Sequence, residues 1–152
     1  MAEIRMRHLF TMRLQVGGMQ AIGAAPAGDR RIGLVAGGTF EGERLRGTVL
    51  PGGADWLLLR SDGVMTLDVR LALETSDGAL ISFAYRGLRH GPKEVMERMG
   101  RGEATDPASY YFRTTGGFET AAPTYAWLNR VWAVGTGTRP PEGPVYDVFE
   151  VL

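Results

Sequence analysis

The chain has 152 residues, 44% of them hydrophobic, with 22 glycines and no cysteine. That length fits one domain (1–152) able to bury its own core, and the missing cysteine excludes disulfide frameworks, thiolate nucleophiles and Cys-based zinc or iron–sulfur sites. Seventeen basic and seventeen acidic residues cancel, which leaves none of the basic excess that binding nucleic acid requires.

The opening stretch, MAEIRMRHLFTMRLQVGG, interrupts its apolar positions with Arg5, Arg7 and Arg13, unlike a signal peptide. No run of about 18 apolar residues follows that could cross a bilayer. The expectation is a soluble, cytoplasmic protein. Strand-like alternation then predicts segments over Ile4–Val16, Thr39–Val49, Asp55–Arg60, Val64–Thr75, Ala79–Arg86, Tyr111–Thr120, Tyr125–Val134 and Pro144–Leu152. Glycines punctuate these runs, so the fold class is all-β: about eight antiparallel strands in a sandwich or closed barrel, with one short helix. Asp62-Gly63 and Asp77-Gly78 supply the positive φ of tight hairpin turns and make Asp55 to Arg86 a three-stranded meander. In HGPKEVMERMG, Pro92 suits a first helical position and Gly100 a left-handed cap, with Val95, Met96 and Met99 on one side. Asp106 caps a turn before ASYY, and Gly135–Pro144 reads as a surface loop.

The stretch TLDVRLALE poses the main question. Its period of two puts Leu67, Val69, Leu71 and Leu73 on one face and Thr66, Asp68, Arg70 and Glu74 on the other. Other polar residues sit in or beside strands. Asp55 precedes Trp56, Arg86 ends a meander strand, and Arg113 lies in YYFRTTGGFE. Tyr125, Trp127 and Asn129, the last the only asparagine, share a face if YAWLN is a strand. Aromatic walls with one amide suit a ligand pocket, and equally a subunit interface. Asp55, Asp68, Arg70, Arg86, Arg113 and Asn129 thus form a candidate constellation. Pointing outward they are cross-strand ion pairs worth about 0.2–1 kcal/mol each, the reading that pattern alone favours. Pointing into a barrel, desolvation raises the carboxylate pKa values and guanidinium groups lower them, as in a tuned general acid or base.

No nucleophile elbow, HExxH, phosphate loop or dinucleotide fingerprint is present. His8 and His90 are too few for a His-rich metal site. Lys93, the only lysine, is the sole side-chain candidate for Schiff-base chemistry and falls on a solvated helix face. No metal and no cofactor is expected.

The ordered segments GGTFEGERLRGTVLPGGADW, SDGV, LDVR, DGALI, YYFRTTGGFET and YAWLNR resemble the bacterial and fungal domain of unknown function 3237 family, from LFTMRLQVG to YDVFEVL. The resemblance implies an antiparallel β-barrel of the kind shared with allene oxide cyclase, a cofactor-free isomerase that steers its substrate inside an apolar barrel. Its matched positions include Asp55, Trp56, Asp68, Arg70, Arg86, Arg113, Trp127 and Asn129. It turns the expectation for Asp68 and Arg70 toward the lumen. Three functions follow. One is a cofactor-free acid/base enzyme (isomerase, cyclase or hydrolase type) acting on a small carboxylate or carbonyl compound, with Asp55 or Asp68 moving a proton and Arg113 and Asn129 holding an oxygen. Another is a carrier walled by Trp56, Tyr125 and Trp127. The third is a homo-oligomer whose barrel is plugged by its own side chains.

Overall fold

The computed structural model describes residues 1–152. Strands β1 (Met6–Ala25), β2 (Gly28–Glu41), β3 (Arg46–Val49), β4 (Ala54–Leu59), β5 (Met65–Thr75) and β6 (Leu80–His90) precede helix α1 (Lys93–Gly100). Strands β7 (Tyr111–Glu119), β8 (Trp132–Thr138) and β9 (Val145–Val151) complete the chain, with 3-10 segments at Pro107–Ser109 and Pro123–Arg130. All pairings are antiparallel, and the sheet closes on itself through β1–β9 and β1–β2. Strands β3 and β4 each pair with both β2 and β5, so they share one position in the wall and nine strands make eight staves.

The predicted meander is β4–β5–β6. Its turns place Gly63 at φ +85° and Gly78 at φ +87°, the left-handed region that Asp-Gly pairs favour. Asp106 accepts from the Ala108 N–H, as its capping role requires. The left-handed residue after α1 is Gly102, at φ +77°, two residues later than the sequence suggested.

Three expectations are corrected. First, the stretch from Gly17 to Gly38 forms most of a long β1–β2 hairpin, where glycine density had hidden the strand signal. Thr39–Val49 is correspondingly two strands joined by a turn, the end of β2 and then β3. Second, Gly135–Thr138, read as loop, belongs to β8. Cβ atoms at Gly135 and Gly137 would run into the Thr114 side chain and the Phe112 ring, so glycine here makes room for neighbouring core side chains. Third, Pro123–Arg130 is a 3-10 segment and not a strand, so Tyr125, Trp127 and Asn129 do not share a strand face.

The inside of the barrel is apolar. Alternate residues of each strand point inward, and 26 buried residues form one core around Phe10, Phe40, Phe83, Phe112 and Tyr146. Leu67, Val69, Leu71 and Leu73 belong to that core, while Asp68 and Arg70 are exposed outside. The lumen expectation for these two is therefore overturned. An eight-stave barrel is just wide enough for side chains to fill, and burying four β5 apolar groups outweighs enclosing two charges.

Each end has its own closure. Helix α1 covers the end where β6 finishes, with Val95 and Met99 joining the core. At the other end Glu150, 2% exposed, receives Arg7 and, at 2.6 Å, Arg44, whose guanidinium lies 4.0 Å above the Trp127 ring. No helix is long and apolar enough to cross a membrane.

Candidate functional site

Among the charged residues predicted for the site, Asp55 alone is turned inward. On β4 it alternates with buried Leu57, opposite Val69 of β5 and Gly33 of β2. The β4–β5 ladder is broken between Asp55–Val69 and Leu58–Thr66. In the gap the Asp68 backbone N–H donates to Asp55 Oδ1 at 3.1 Å. A side chain has taken the place of a strand carbonyl as acceptor, which fixes the carboxylate against the barrel wall.

Around it lie residues that the sequence reading did not single out. Arg89, two positions beyond Gly87 on the inward face of β6, has its guanidinium 5.4 Å from the centre of the Phe112 ring, and its Nε has no hydrogen-bond partner. Tyr85, on the same face, is buried, and its hydroxyl neighbours that of Tyr146 without a well-aligned hydrogen bond. Its ring meets that of Tyr146 edge to face with centroids 5.3 Å apart. Tyr110 accepts from the Arg139 N–H at 2.9 Å nearby. Among buried side chains a hydroxyl without a well-aligned hydrogen bond and an orphaned guanidine nitrogen are uncommon, and each can take a further partner such as water or ligand. Asp55, Arg89 and Arg139 keep partial exposure while the phenols are buried. The polar cluster thus runs from a wet rim to a dry floor.

The electrostatics follow from that placement. Burial pushes the Asp55 carboxyl up to about 6, against the pull of the Asp68 N–H and the Arg89 guanidinium, with the Asp68 carboxylate adding a small push upward. Burial, reinforced by Tyr146 and Asp55, holds the Tyr85 phenol well above its ordinary value. Tyr146 shifts the same way, from burial and then Asp55. Arg89 is pulled down by burial, though a guanidinium stays protonated at any ordinary pH. The cluster therefore offers one proton acceptor that can change state near neutrality, beside two phenol donors and a fixed cation.

A signal for these residues exists in the sequence. Tyr85, Gly87 and Arg89 continue the parity of Ile81 and Phe83, so a strand extended to His90 carries an arginine on its core face. Ending that strand at Arg86 concealed it.

The remaining predicted residues lie elsewhere. Trp56, Asp68, Arg86 and Arg113 line an outer groove of about 850 Å³ across β4 to β9. Asp68, Arg70, Arg86 and Asn129 border an adjoining outer depression of about 670 Å³. Asp68 stands opposite Arg86 in register without an ion pair. Tyr125 and Trp127 pack at the Glu150 end, where the Tyr125 hydroxyl donates to Asp77 at 2.9 Å. The Asn129 amide is tied to Thr120, accepting from its N–H at 2.8 Å and donating to its carbonyl at 2.9 Å. His8 meets Asp147 at 3.3 Å on the exterior, and His90, also exposed, stacks on Tyr111.

Comparison with known proteins places the fold. The family model described as protein of unknown function DUF3237 matches residues 4–151. The chain belongs to this family. A UPF0311 protein of Rhodopseudomonas palustris is 38% identical over 146 residues, covering 96% of this chain and 95% of that one. A UPF0311 protein of Clostridium acetobutylicum is 33% identical over 150 residues, with 98% and 95% covered. Among solved structures, a β-barrel-like protein of Acinetobacter baumannii shares 38% identity at a TM-score of 0.87, covering 99% of this chain and 98% of that one. A structure described as an enzyme from Penicillium herquei is 23% identical at a TM-score of 0.76, with 99% and 96% covered, a likeness that shows the shared fold. The DUF3237 barrel is thus common to the group, and chemistry has to be argued from the site.

Proposed function

We propose that this DUF3237 barrel is a cofactor-free acid/base catalyst for a small carbonyl or carboxylate compound, with Asp55 as the proton-transferring group and Tyr85 and Arg89 as the oxygen holders. One observation carries the reading: a carboxylate poised near 6 stands beside two buried donors, Arg89 Nε, which has no partner, and Tyr85 Oη, which has only the poorly aligned hydroxyl of Tyr146. A substrate oxygen placed between them would satisfy both donors. Its α-proton or hydroxyl proton would then face Asp55, and charge developing on the oxygen would be stabilised by donors already in place. At neutral pH Asp55 is mostly ionised, so it can accept a proton, and it releases that proton about a hundredfold less readily than an ordinary aspartic acid.

The filled lumen weighs against a carrier of bulky apolar cargo, because 26 core residues occupy the space such cargo needs. A substrate would have to reach Asp55 by its polar head, from the partly exposed rim. The test is proton exchange in D2O, followed by proton NMR, over a panel of small ketones, 1,3-dicarbonyl compounds, lactones and keto acids. The expected result is enzyme-dependent loss of an α-proton signal for a subset, abolished in Asp55→Asn and reduced at least about tenfold in Tyr85→Phe. Compounds that raise the melting temperature but neither exchange nor convert would support the carrier. A panel with neither effect would sink both readings.

A further inference from the structure

The outer groove is separate from the Asp55 cluster and has a chemistry of its own. It lies on the opposite face of the sheet, about 850 Å³ in volume, within the range of small-molecule sites. Its walls are aromatic and aliphatic: Trp56 is 51% exposed, Tyr111 44% and Leu88 41%, with Phe149 half-buried beside them. Exposed apolar area of this kind on adjacent strands is unusual unless something covers it. The floor is strand backbone at Gly87 and Gly135, where side chains are absent.

Charge identifies the occupant. Arg86 forms no ion pair and donates no hydrogen bond, and Arg113 engages only the Phe112 carbonyl at 2.9 Å and the face of the Tyr111 ring at 5.3 Å. Asp68 is the only carboxylate lining the groove and pairs with neither. A third lining arginine, Arg30, donates to the Trp56 carbonyl at 3.1 Å. Arg86 and Arg113, two guanidinium forks with free donors above an aromatic-walled trough, match a planar anion, since arginine binds carboxylates bidentately and stacks on flat π-systems.

We propose that this groove binds an aromatic carboxylate, its ring against Trp56 and Tyr111 and its carboxylate on Arg86 and Arg113. The site is independent of proton transfer at Asp55. A second copy of the chain seated on the same face is the competing occupant.

Fluorescence titration of the full chain with 8-anilinonaphthalene-1-sulfonate tests the proposal, with 1-naphthoate and the neutral 1-naphthalenemethanol as competitors and sedimentation velocity run in parallel. The expected result is saturable one-site binding, with naphthoate displacing the probe at least about tenfold better than the alcohol, the value of one charge-assisted fork. Arg86→Gln with Arg113→Gln should erase that preference. Leu88→Glu should weaken the probe by about tenfold or more through charge repulsion and a lost apolar wall. Asp55→Asn should leave binding unchanged. Arg86, Leu88 and Arg113 are exposed, and circular dichroism checks that each variant folds; if Leu88→Glu fails to fold, the double arginine variant decides alone. Equal displacement by acid and alcohol would overturn the proposal, as would arginine variants with unaltered preference. So would a dimer that Leu88→Glu dissociates while exposing new probe binding, which would assign the groove to a second copy.

Discussion

The backbone N–H of Asp68 donates to the Asp55 carboxylate at 3.1 Å inside the barrel, while the Asp68 side chain lines the groove outside. One residue of β5 therefore touches both candidate sites, through its main chain on one face and its carboxylate on the other. The broken β4–β5 ladder makes this possible, because an intact ladder would have taken the Asp68 amide for a strand carbonyl.

Replacing Asp55 by asparagine should stabilise the fold at alkaline pH. The folded carboxyl titrates at about 6 and the unfolded one near 3.8. A group raised in this way contributes its full stability below 3.8, and that contribution is lost as pH rises through 6, because the folded state then has to ionise a buried acid. The net shift already includes the attraction of Arg89. Asparagine keeps an acceptor for the Asp68 N–H and removes the charge. The gain is about 2–3 kcal/mol at pH 8, or about 5–10 °C in melting temperature for a chain of this size. Melting curves of both proteins should converge near pH 4 and separate above pH 6; parallel curves across that range would show that Asp55 is not desolvated.

Tyr85→Phe should separate stability from function. The substitution deletes a buried hydroxyl that has no well-aligned hydrogen bond and keeps the ring packed against Phe83 and Tyr146. Removing a buried polar atom whose hydrogen bond is at best poorly aligned costs little, so the melting temperature should hold or rise by about 1–3 °C. A fall of several degrees would mean that an ordered water holds the hydroxyl in the resting protein.

Legibility in the sequence divided along physical lines. The meander was readable because Asp-Gly turns and strict alternation in β5 are local signals, as was the Asp106 cap. The β1–β2 hairpin and the end of β8 were not, because their glycines answer to distant neighbours such as Phe112 and Thr114 rather than to local propensity. TLDVRLALE displayed its two faces plainly, but which one faced inward depended on how much room eight staves enclose. Asp55 was found through its neighbour Trp56, and its actual partners, Tyr85, Arg89 and Tyr146, come from two strands far apart in the chain. Such a cluster exists only once the barrel closes.

Gly137→Ala should test that closure. A Cβ on Gly137 would lie 2.7 Å from the Phe112 ring, which is fully buried between Tyr146 and the Arg89 guanidinium. The ring cannot retreat without displacing the Asp55 cluster, so overpacking should cost about 1–3 kcal/mol and lower the melting temperature by about 3–10 °C. Phe112→Leu in the same chain should restore part of the loss. An unchanged melting temperature for the single variant would place more space beside β8 than these contacts allow.

Glu150→Gln should destabilise the protein, and only where the acid would be ionised. Burial raises the carboxyl, but hydrogen bonds from Arg44 and Arg7 outweigh it and hold Glu150 below its ordinary range. For a depressed acid the contribution is present above the unfolded value of 4.5 and is lost as pH falls through the folded one. Glutamine leaves Arg7 and Arg44 facing a neutral amide, at a cost of about 2–4 kcal/mol at pH 7. Both arginines are partly exposed, at 56% and 38%, and can rehydrate, which keeps the loss toward the lower end. The difference in melting temperature between the two proteins should shrink steadily as pH is lowered below 4.5, the reverse of the Asp55→Asn trend. If the difference were constant with pH, the network would be acting through shape and not through charge.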